Sequence, residues 1–466
     1  MENASPKVAV IKMYTAREEI YLRQIKGRYA SVRWLFVWVT QLIFYGLPWL
    51  SWNDRQAVLF DLGARKFYIF GVVLWPQDFI YLAALLIISA YSLFLFTAIF
   101  GRVWCGFACP QTVYTEIFMW IERKIEGARS ARMRLDRQPA SVGKFARKAA
   151  KHAAWGAVAW WTGFTFVGYF TPVHGLSAAV VTLTLGAWEW FWILFYALAT
   201  YGNAGWMREQ VCTYMCPYAR FQSAMFDKDS LIITYDAERG EPRGAHNKNR
   251  AADANRQGDC IDCSLCVQVC PTGIDIRHGL QYECIGCAAC VDACNGVMDK
   301  VGSPRGLIRY ATEHAMVNRS TPAHILRHAF RPRVLIYSVA LLGIVSVFFG
   351  ALLTRTPLMM DVIRDRGAMG REVENGMVEN VYRLQIMNTD EAPHRYRISV
   401  AGIDSIHLET ADEVGLGATE TRGVPVTVRI HAGKGDKGSN KITFNLQAID
   451  NPQLYVTEKA VFFVPR

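Results

Sequence analysis

Five apolar runs of about twenty residues, eight cysteines in two evenly spaced quartets and a C-terminal stretch of alternating apolar and polar residues predict a multi-domain integral membrane protein. The expected fold class is a five-helix α transmembrane bundle, a cytoplasmic bacterial-type 2[4Fe–4S] ferredoxin module and a C-terminal all-β immunoglobulin-like sandwich. Composition agrees. Of 466 residues, 52% are hydrophobic, 13% aromatic and only 20% charged, which excludes a disordered or fibrous chain and an ordinary soluble enzyme.

The apolar runs are 33–52, 78–100, 155–171, 177–201 and 334–354, each near the length needed to cross hydrocarbon as a helix. The third is the shortest, so the third and fourth form either two spans or a re-entrant pair. The N-terminus is polar for 30 residues, and no signal peptide is expected before the first run. The net charge is +11, yet residues 355–466 carry 14 Lys/Arg against 15 Asp/Glu, so the excess lies N-terminal to them. It flanks the apolar runs: 7 Lys/Arg in 1–33 and 11 in 102–152, including Arg123, Lys124, Arg129, Arg132, Arg134 and Arg137, but only Arg55, Arg65 and Lys66 in 53–77. This bias places the N-terminus, loop 102–152 and segment 202–333 in the cytoplasm, and 355–466 outside. The basic loop then reads as a topology signal in contact with membrane lipid; no recognisable module supports nucleic acid as a partner.

Composition shifts divide the chain into a cytoplasmic segment 1–32, a four-helix region 33–235, a linker 236–258 containing Gly240, Pro242 and Gly244, the ferredoxin module 259–300, a connector 301–333, the fifth helix 334–354 and the external domain 355–466. Residues 113–150 read as a basic amphipathic helix lying on the membrane, with Glu116, Glu122 and Arg123 set against Ile117, Trp120 and Ile121. Glu189 falls near the middle of the fourth run, where it is either a proton- or metal-path residue or a neutral Glu bonded to a neighbouring helix. His152, His174, His246 and His278 have no partner spacing and receive no role.

The 12 cysteines carry the sharpest signal. Cys260-x2-Cys263-x2-Cys266-x3-Cys270-Pro271 and Cys284-x2-Cys287-x2-Cys290-x3-Cys294 have the spacing of a doubled ferredoxin, in which the fourth Cys of each run serves the other cluster. Cys260, Cys263, Cys266 and Cys294 are thus expected on one [4Fe–4S], and Cys284, Cys287, Cys290 and Cys270 on the second. Pro271 and Gly273 turn the chain away after the first run; Asn295 replaces the usual Pro after the second. Zinc fits the doubled pattern poorly, and disulfides are disfavoured in a cytoplasmic segment.

The remaining four form two CxxxCP motifs, Cys105–Cys109 before Pro110 and Cys212–Cys216 before Pro217, at the cytoplasmic ends of the second and fourth helices. An i, i+4 spacing sets two sulfurs on one face of a helical turn, close enough to chelate a soft ion or form a redox pair. The alternative is small apolar packing at helix ends. Met215 could add a thioether.

The external segment alternates at Tyr382-Leu384-Ile386, Tyr396-Ile398-Val400, Val424-Val426-Val428-Ile430 and Ile442-Phe444-Leu446, with a turn at Gly433-Lys434-Gly435-Asp436. Short strands at this spacing suggest a partner-binding sandwich without the antibody Cys pair.

The chain resembles the cytochrome c oxidase accessory proteins of the CcoG (FixG/RdxA) family. The carrying residues are Trp75-Pro76-Gln77-Asp78, Gly101-Arg102-Val103-Trp104-Cys105 through Cys109-Pro110-Gln111-Thr112, Glu209-Gln210-Val211-Cys212 through Cys216-Pro217-Tyr218-Ala219-Arg220-Phe221-Gln222, Asp227-Lys228-Asp229-Ser230, the ferredoxin run, and Asp361-Val362-Ile363-Arg364-Asp365-Arg366. The resemblance implies a bacterial inner-membrane protein with a periplasmic C-terminal domain that reduces Cu(II) to Cu(I) for the copper centre of a cbb3-type oxidase. Its partners would be a copper transporter or chaperone, the oxidase assembly machinery and an unidentified electron donor. Thiolates favour Cu(I), which makes Cys105, Cys109, Cys212 and Cys216 the expected catalytic copper ligands beside two one-electron clusters. Two other readings keep the clusters: a quinol-linked electron carrier of the NapH or NosR kind feeding a periplasmic reductase, and a non-catalytic assembly scaffold.

Overall fold

The structure is a computed structural model that describes residues 20–245, 257–318, 331–365, 370–373, 376–431 and 433–465. His246, residues 246–256 of the expected linker, 319–330 of the expected connector and Arg366 lie outside the described residues. The chain forms two compact units, one of residues 1–47, 89–167 and 178–341, the other of 48–88, 168–177 and 342–466.

Among the described residues three helices are long and apolar enough to cross a membrane: Arg28–Trp49, Pro76–Phe100 and Pro332–Leu353, with mean hydropathies of 1.3, 2.3 and 2.4. A bent pair, Val173–Thr182 and Ala187–Met207, turns through 96° and adds up to one more. The expected straight span 177–201 is therefore broken. Leu183 sits in the left-handed region at φ 56°, and Glu189 accepts a hydrogen bond from the Gly186 N–H at 2.8 Å. Glu189 thus caps the start of a helix instead of lying mid-span, because an N-terminal N–H without an intrahelical partner needs an acceptor. The expected third span is the C-terminal half of a helix that begins at Val142, with Lys144, Arg147, Lys148 and Lys151 in its first turns.

In the first unit we label the helices α1 (Arg28–Gly46), α2 (Phe79–Phe100), α3 (Val103–Phe107), α4 (Pro110–Glu126), α5 (Arg129–Arg137) and α6 (Val142–Val167). Residues 113–150 are thus three helices, not one lying on a membrane. The chain turns at Gly127, which takes φ 94°, a conformation that favours glycine. Some of the basic residues fold inward, whereas Lys124, Arg134, Arg137 and Arg147 stay exposed. Glu122 pairs with Arg132 at 2.9 Å, Arg208 at 3.1 Å and Lys151 at 3.8 Å, while Glu126 holds Lys151 at 3.0 Å and Lys148 at 3.1 Å. Trp155 stacks on Phe118 and donates its indole N–H to the Phe118 carbonyl. At Gly163, α6 meets helix Ala187–Thr200 backbone to backbone: an added Cβ would lie 2.3 Å from the Ile193 carbonyl oxygen.

The ferredoxin module is wider than its cysteines suggest. Strands Ile232–Tyr235 and Ile308–Ala311 pair antiparallel across it. Residues 236–245 of the expected linker belong to it, since Arg239 pairs with Asp259 at 2.5 Å and bonds the carbonyls of Pro304 and Arg305. Its helix Ala289–Val301 presents Asp292, which accepts the backbone N–H groups of Tyr29 (3.3 Å) and Ala30 (2.8 Å) and so caps α1.

The second unit holds two antiparallel sheets. One orders His407–Leu408, Thr421–Ile430, Val378–Asn388 and Leu358–Arg364; the other orders Glu413–Leu416, His394–Ala401, Gly438–Ala448 and Tyr455–Val464. Alternate residues meet in a core around Tyr382, Tyr396, Phe444 and Phe462, as the sandwich expectation requires. A three-stranded sheet, Val58–Asp61, Lys66–Ile69 and Val72–Leu74, fills the segment between the first two long helices. The Trp75-Pro76-Gln77-Asp78 motif is structural: the Asp78 carboxylate accepts the Trp75 N–H at 2.9 Å and pairs with Arg355 at 2.6 Å.

Candidate metal centre

The two cysteine runs fold as a backbone repeat. Asp262 and Ser264 take φ 53°, and the matching Gly286 and Ala288 take 67° and 56°. These left-handed residues flank the second Cys of each run and let three thiols turn toward one point. Three of the four pay for it without being glycine, a cost accepted where a site over-determines the backbone.

The expected thiol sets come together. One small cavity is lined by Cys260, Cys263, Cys266 and Cys294, and another by Cys270, Cys284, Cys287 and Cys290, with Cys266 at its edge. Apart from the thiols, both linings are mainly apolar, with no carboxylate or imidazole. This donor chemistry suits a thiolate-held cluster. Burial pushes the thiols up, Cys266 to about 11 and Cys284 and Cys294 to about 12, so a metal entering here displaces protons.

The CxxxCP motifs differ from the expected single helical turn. Cys105 lies inside the five-residue α3, while Cys109 is the N-cap of α4 with Pro110 in its first turn. Cys212 lies in a π-turn, and Cys216 is the N-cap of helix Pro217–Met225, again followed by Pro. Proline after each cap suits a helix start, where its missing N–H is not needed. Burial raises the Cys109 thiol, and the backbone at Gln111 and Thr112 opposes that rise.

All four thiols interact electrostatically. Burial raises Cys105 to about 12, with further upward pushes from Cys109, Cys212 and Cys216, and raises Cys212 to about 11. Among the described residues no three Cys, His, Asp or Glu side chains close to the distances of a single-ion site, the ferredoxin thiols included. Met215 is 58% exposed, outside this half-buried set. His278 is exposed and 3.9 Å from Asp275. His152 bonds the Tyr201 hydroxyl, and His174 packs edge-on against Trp49.

Cys105 and Cys212 pack in one layer with Val269, Ile285, Cys287 and Ala289 of the ferredoxin module. Gly106 makes that approach possible: an added Cβ would stand 2.7 Å from the Cys287 Cα. Two residues here, Arg102 and Gln222, have a role that motif spacing does not reveal. Arg102 is 5% exposed; its Nε donates to Gln222 at 2.9 Å and its Nη groups to the carbonyls of Ala219, Tyr282 and Cys284. Gln222 in turn accepts from the Cys105 thiol at 3.4 Å. Arg102 thus ties both CxxxCP motifs to the ferredoxin module, and its charge opposes the burial-driven rise at Cys105, Cys212 and Cys284. The signal was its place three residues before the first Cys.

Comparison with known proteins agrees with this layout. Residues 207–313 match a 4Fe–4S dicluster domain, 82–127 a 4Fe–4S binding domain, and 348–465 the Ig-like fold at the C-terminus of FixG. The nitrogen fixation protein FixG of Rhizobium meliloti is 39% identical over 94% of this chain and 91% of its own. Proteins RdxA and RdxB of Cereibacter sphaeroides are each 38% identical, over 90% and 92% of this chain and the same shares of theirs. A crystal structure of a FixG-related protein from Vibrio parahaemolyticus aligns with 24% of this chain and 97% of its own at 23% identity and a TM-score of 0.22.

Proposed function

The chain belongs to the FixG family, with RdxA and RdxB, and on that premise we propose that it is a membrane-bound iron–sulfur electron-transfer protein that reduces Cu(II) to Cu(I) for assembly of the copper centre of a cbb3-type cytochrome c oxidase. The observation that carries the reading is the packing of Cys105 and Cys212 on the layer that contains Cys287.

Cys260, Cys263, Cys266 and Cys294 would hold one [4Fe–4S] cluster, and Cys270, Cys284, Cys287 and Cys290 the other. When bound, the clusters supply single electrons, which matches the one electron that Cu(II) takes in becoming Cu(I). Cys105, Cys109, Cys212 and Cys216 bind the copper substrate. Soft thiolates stabilise the reduced ion over the oxidised one and so favour the product. Arg102 and the backbone at Gln111 and Thr112 oppose the burial that holds Cys105 and Cys109 protonated, which eases the proton loss that copper binding requires.

The Lys/Arg bias supports a cytoplasmic ferredoxin module and a periplasmic sandwich in an inner membrane. The spans are then α1, α2, the apolar half of α6, Ala187–Met207 and Pro332–Leu353, with lipid, a copper transporter or chaperone, the oxidase assembly machinery and a separate electron donor as partners.

The test uses one purified sample. Stopped-flow addition of Cu(II) to dithionite-reduced protein should bleach the reduced-cluster EPR signal as chelator-detectable Cu(I) appears, and replacing the four CxxxCP cysteines with Ser should abolish both. The match of residues 82–127 to a 4Fe–4S binding domain favours a second reading, in which the CxxxCP thiols serve a quinol-linked relay. Clusters that stay reduced beside Cu(II) yet discharge into a quinone support that reading instead.

A further inference from the structure

The first turns of α1, helix α4, the turn into α5 and the ferredoxin module enclose a cavity of about 450 Å³. Small-molecule sites run from roughly 300 to 1,000 Å³. Arg23, Arg33, Arg123, Arg129 and Arg132 line it against a single carboxylate, Glu116.

Some of this charge is already used. Arg132 pairs with Glu122 at 2.9 Å and donates to the Leu22 carbonyl at 2.6 Å, and Arg129 Nε donates to the Tyr21 carbonyl at 2.7 Å. Arg33 is 8% exposed; its Nε faces the Glu116 carboxylate at 3.5 Å and its Nη1 donates to the Cys287 carbonyl at 3.4 Å. Neither Arg23 nor Arg123 makes a side-chain hydrogen bond or ion pair with another described residue. Burial lowers the Arg123 guanidinium, Glu116 opposes the shift, and Arg132 adds repulsion. Five guanidinium groups share this recess with Glu116 and, through Arg132, with Glu122, so positive charge exceeds negative and an entering anion is favoured.

We propose that this cavity binds a phosphate-bearing ligand of about mononucleotide size, either a soluble phosphorylated molecule or the headgroup of an anionic phospholipid. Several guanidinium forks facing one recess suit the multiple oxygens of a phosphate better than the two of a carboxylate. The floor of the cavity is Val269 and Ala289, which also pack in the layer holding Cys105, Cys212 and Cys287. An occupant therefore sits one side chain away from both thiol groups. The site stands independently of the copper reading.

The full chain in phosphatidylcholine nanodiscs is titrated with flavin mononucleotide, followed by fluorescence anisotropy, and with riboflavin, which lacks only the phosphate. Saturable 1:1 binding of the phosphorylated form alone is expected, weakened roughly tenfold or more by Arg123→Gln and by Arg23→Gln, as loss of a charge-assisted contact implies. Arg123→Lys, which keeps the charge without the fork, should fall between. Arg23 is exposed, so its variant carries the test if Arg123→Gln fails to fold. Repeating the titration in phosphatidylglycerol discs separates the sources: lost binding identifies a headgroup occupant, and retained binding a soluble one. Equal affinity for the two flavins, no binding in any disc, or indifference to both Arg substitutions overturns the proposal.

Discussion

Replacing Gly106 with Ala should uncouple the CxxxCP site from the ferredoxin module while leaving every thiol in place. An added Cβ would lie 2.7 Å from the Cys287 Cα and 2.8 Å from both the Cys287 N and the Gly286 carbonyl carbon. Carbon atoms rest at about 3.5 Å or more, so the contact is short by roughly 0.8 Å. All three obstructing atoms are backbone, held by the turn that points Cys287 inward, so no side chain can swing away. Overpacking of this kind costs about 1–3 kcal/mol, which shifts the balance between docked and undocked arrangements about 5- to 150-fold. Iron content should stay near wild type because the eight ferredoxin cysteines are untouched. Cluster oxidation by Cu(II) should slow in stopped flow, and the amides of residues 284–290 should lose hydrogen-exchange protection. Gly143→Ala, which meets nothing within 4 Å, is the control. A Gly106→Ala protein with wild-type cluster oxidation and wild-type protection at 284–290 would refute this reasoning.

Three further outcomes follow from the geometry. Glu122→Gln leaves Arg132, Arg208 and Lys151 with a neutral partner in a buried network, and the loss of one member of such a set costs about 3–5 kcal/mol, measurable as a lower thermal midpoint; an unchanged midpoint contradicts it. Asp292→Ala removes the acceptor for the Tyr29 and Ala30 N–H groups, a loss of about 0.5–2 kcal/mol that should appear as faster amide exchange at those two residues while the sandwich is unaffected. His394 bonds Asp450 at 2.6 Å and Asp390 at 3.1 Å; burial alone would lower it, but these two carboxylates raise it above its ordinary value. Its folded pKa being the higher one, its contribution to stability is full below the unfolded value near 6.5 and disappears as pH rises through the folded value. The gap in unfolding midpoint between wild type and His394→Gln should therefore narrow with rising pH, and a pH-independent gap would count against the assignment.

The parts legible in the sequence are those set by local chemistry. Cysteine spacing within a turn brings neighbouring thiols toward one point, and two small cavities are lined by cysteines of both runs, with Cys266 in each. Alternation likewise gave the sandwich, because a period of two leaves one face for the core. What escaped depends on contacts between distant residues. The break between Thr182 and Ala187 holds no proline, and an apolar average runs straight across it, which put Glu189 in mid-span. Counting basic residues in 102–152 records charge but not partner; the clue was Glu122 and Glu126, one turn apart on α4 beside the core residues Phe118 and Ile121. Of the left-handed positions that shape the two cysteine turns, only Gly286 announces itself, while Asp262, Ser264 and Ala288 do not. Arg102 and Gln222 stood in the quoted motifs, but their meeting across 120 residues needed the fold.

Copper K-edge X-ray absorption of protein loaded with copper and reduced anaerobically tests the central claim most directly. Cu(I) with sulfur scatterers is expected, lost when Cys105, Cys109, Cys212 and Cys216 are replaced together while the iron signal of the ferredoxin module persists. Copper bound only through nitrogen or oxygen, or bound equally well by the fourfold variant, would contradict it.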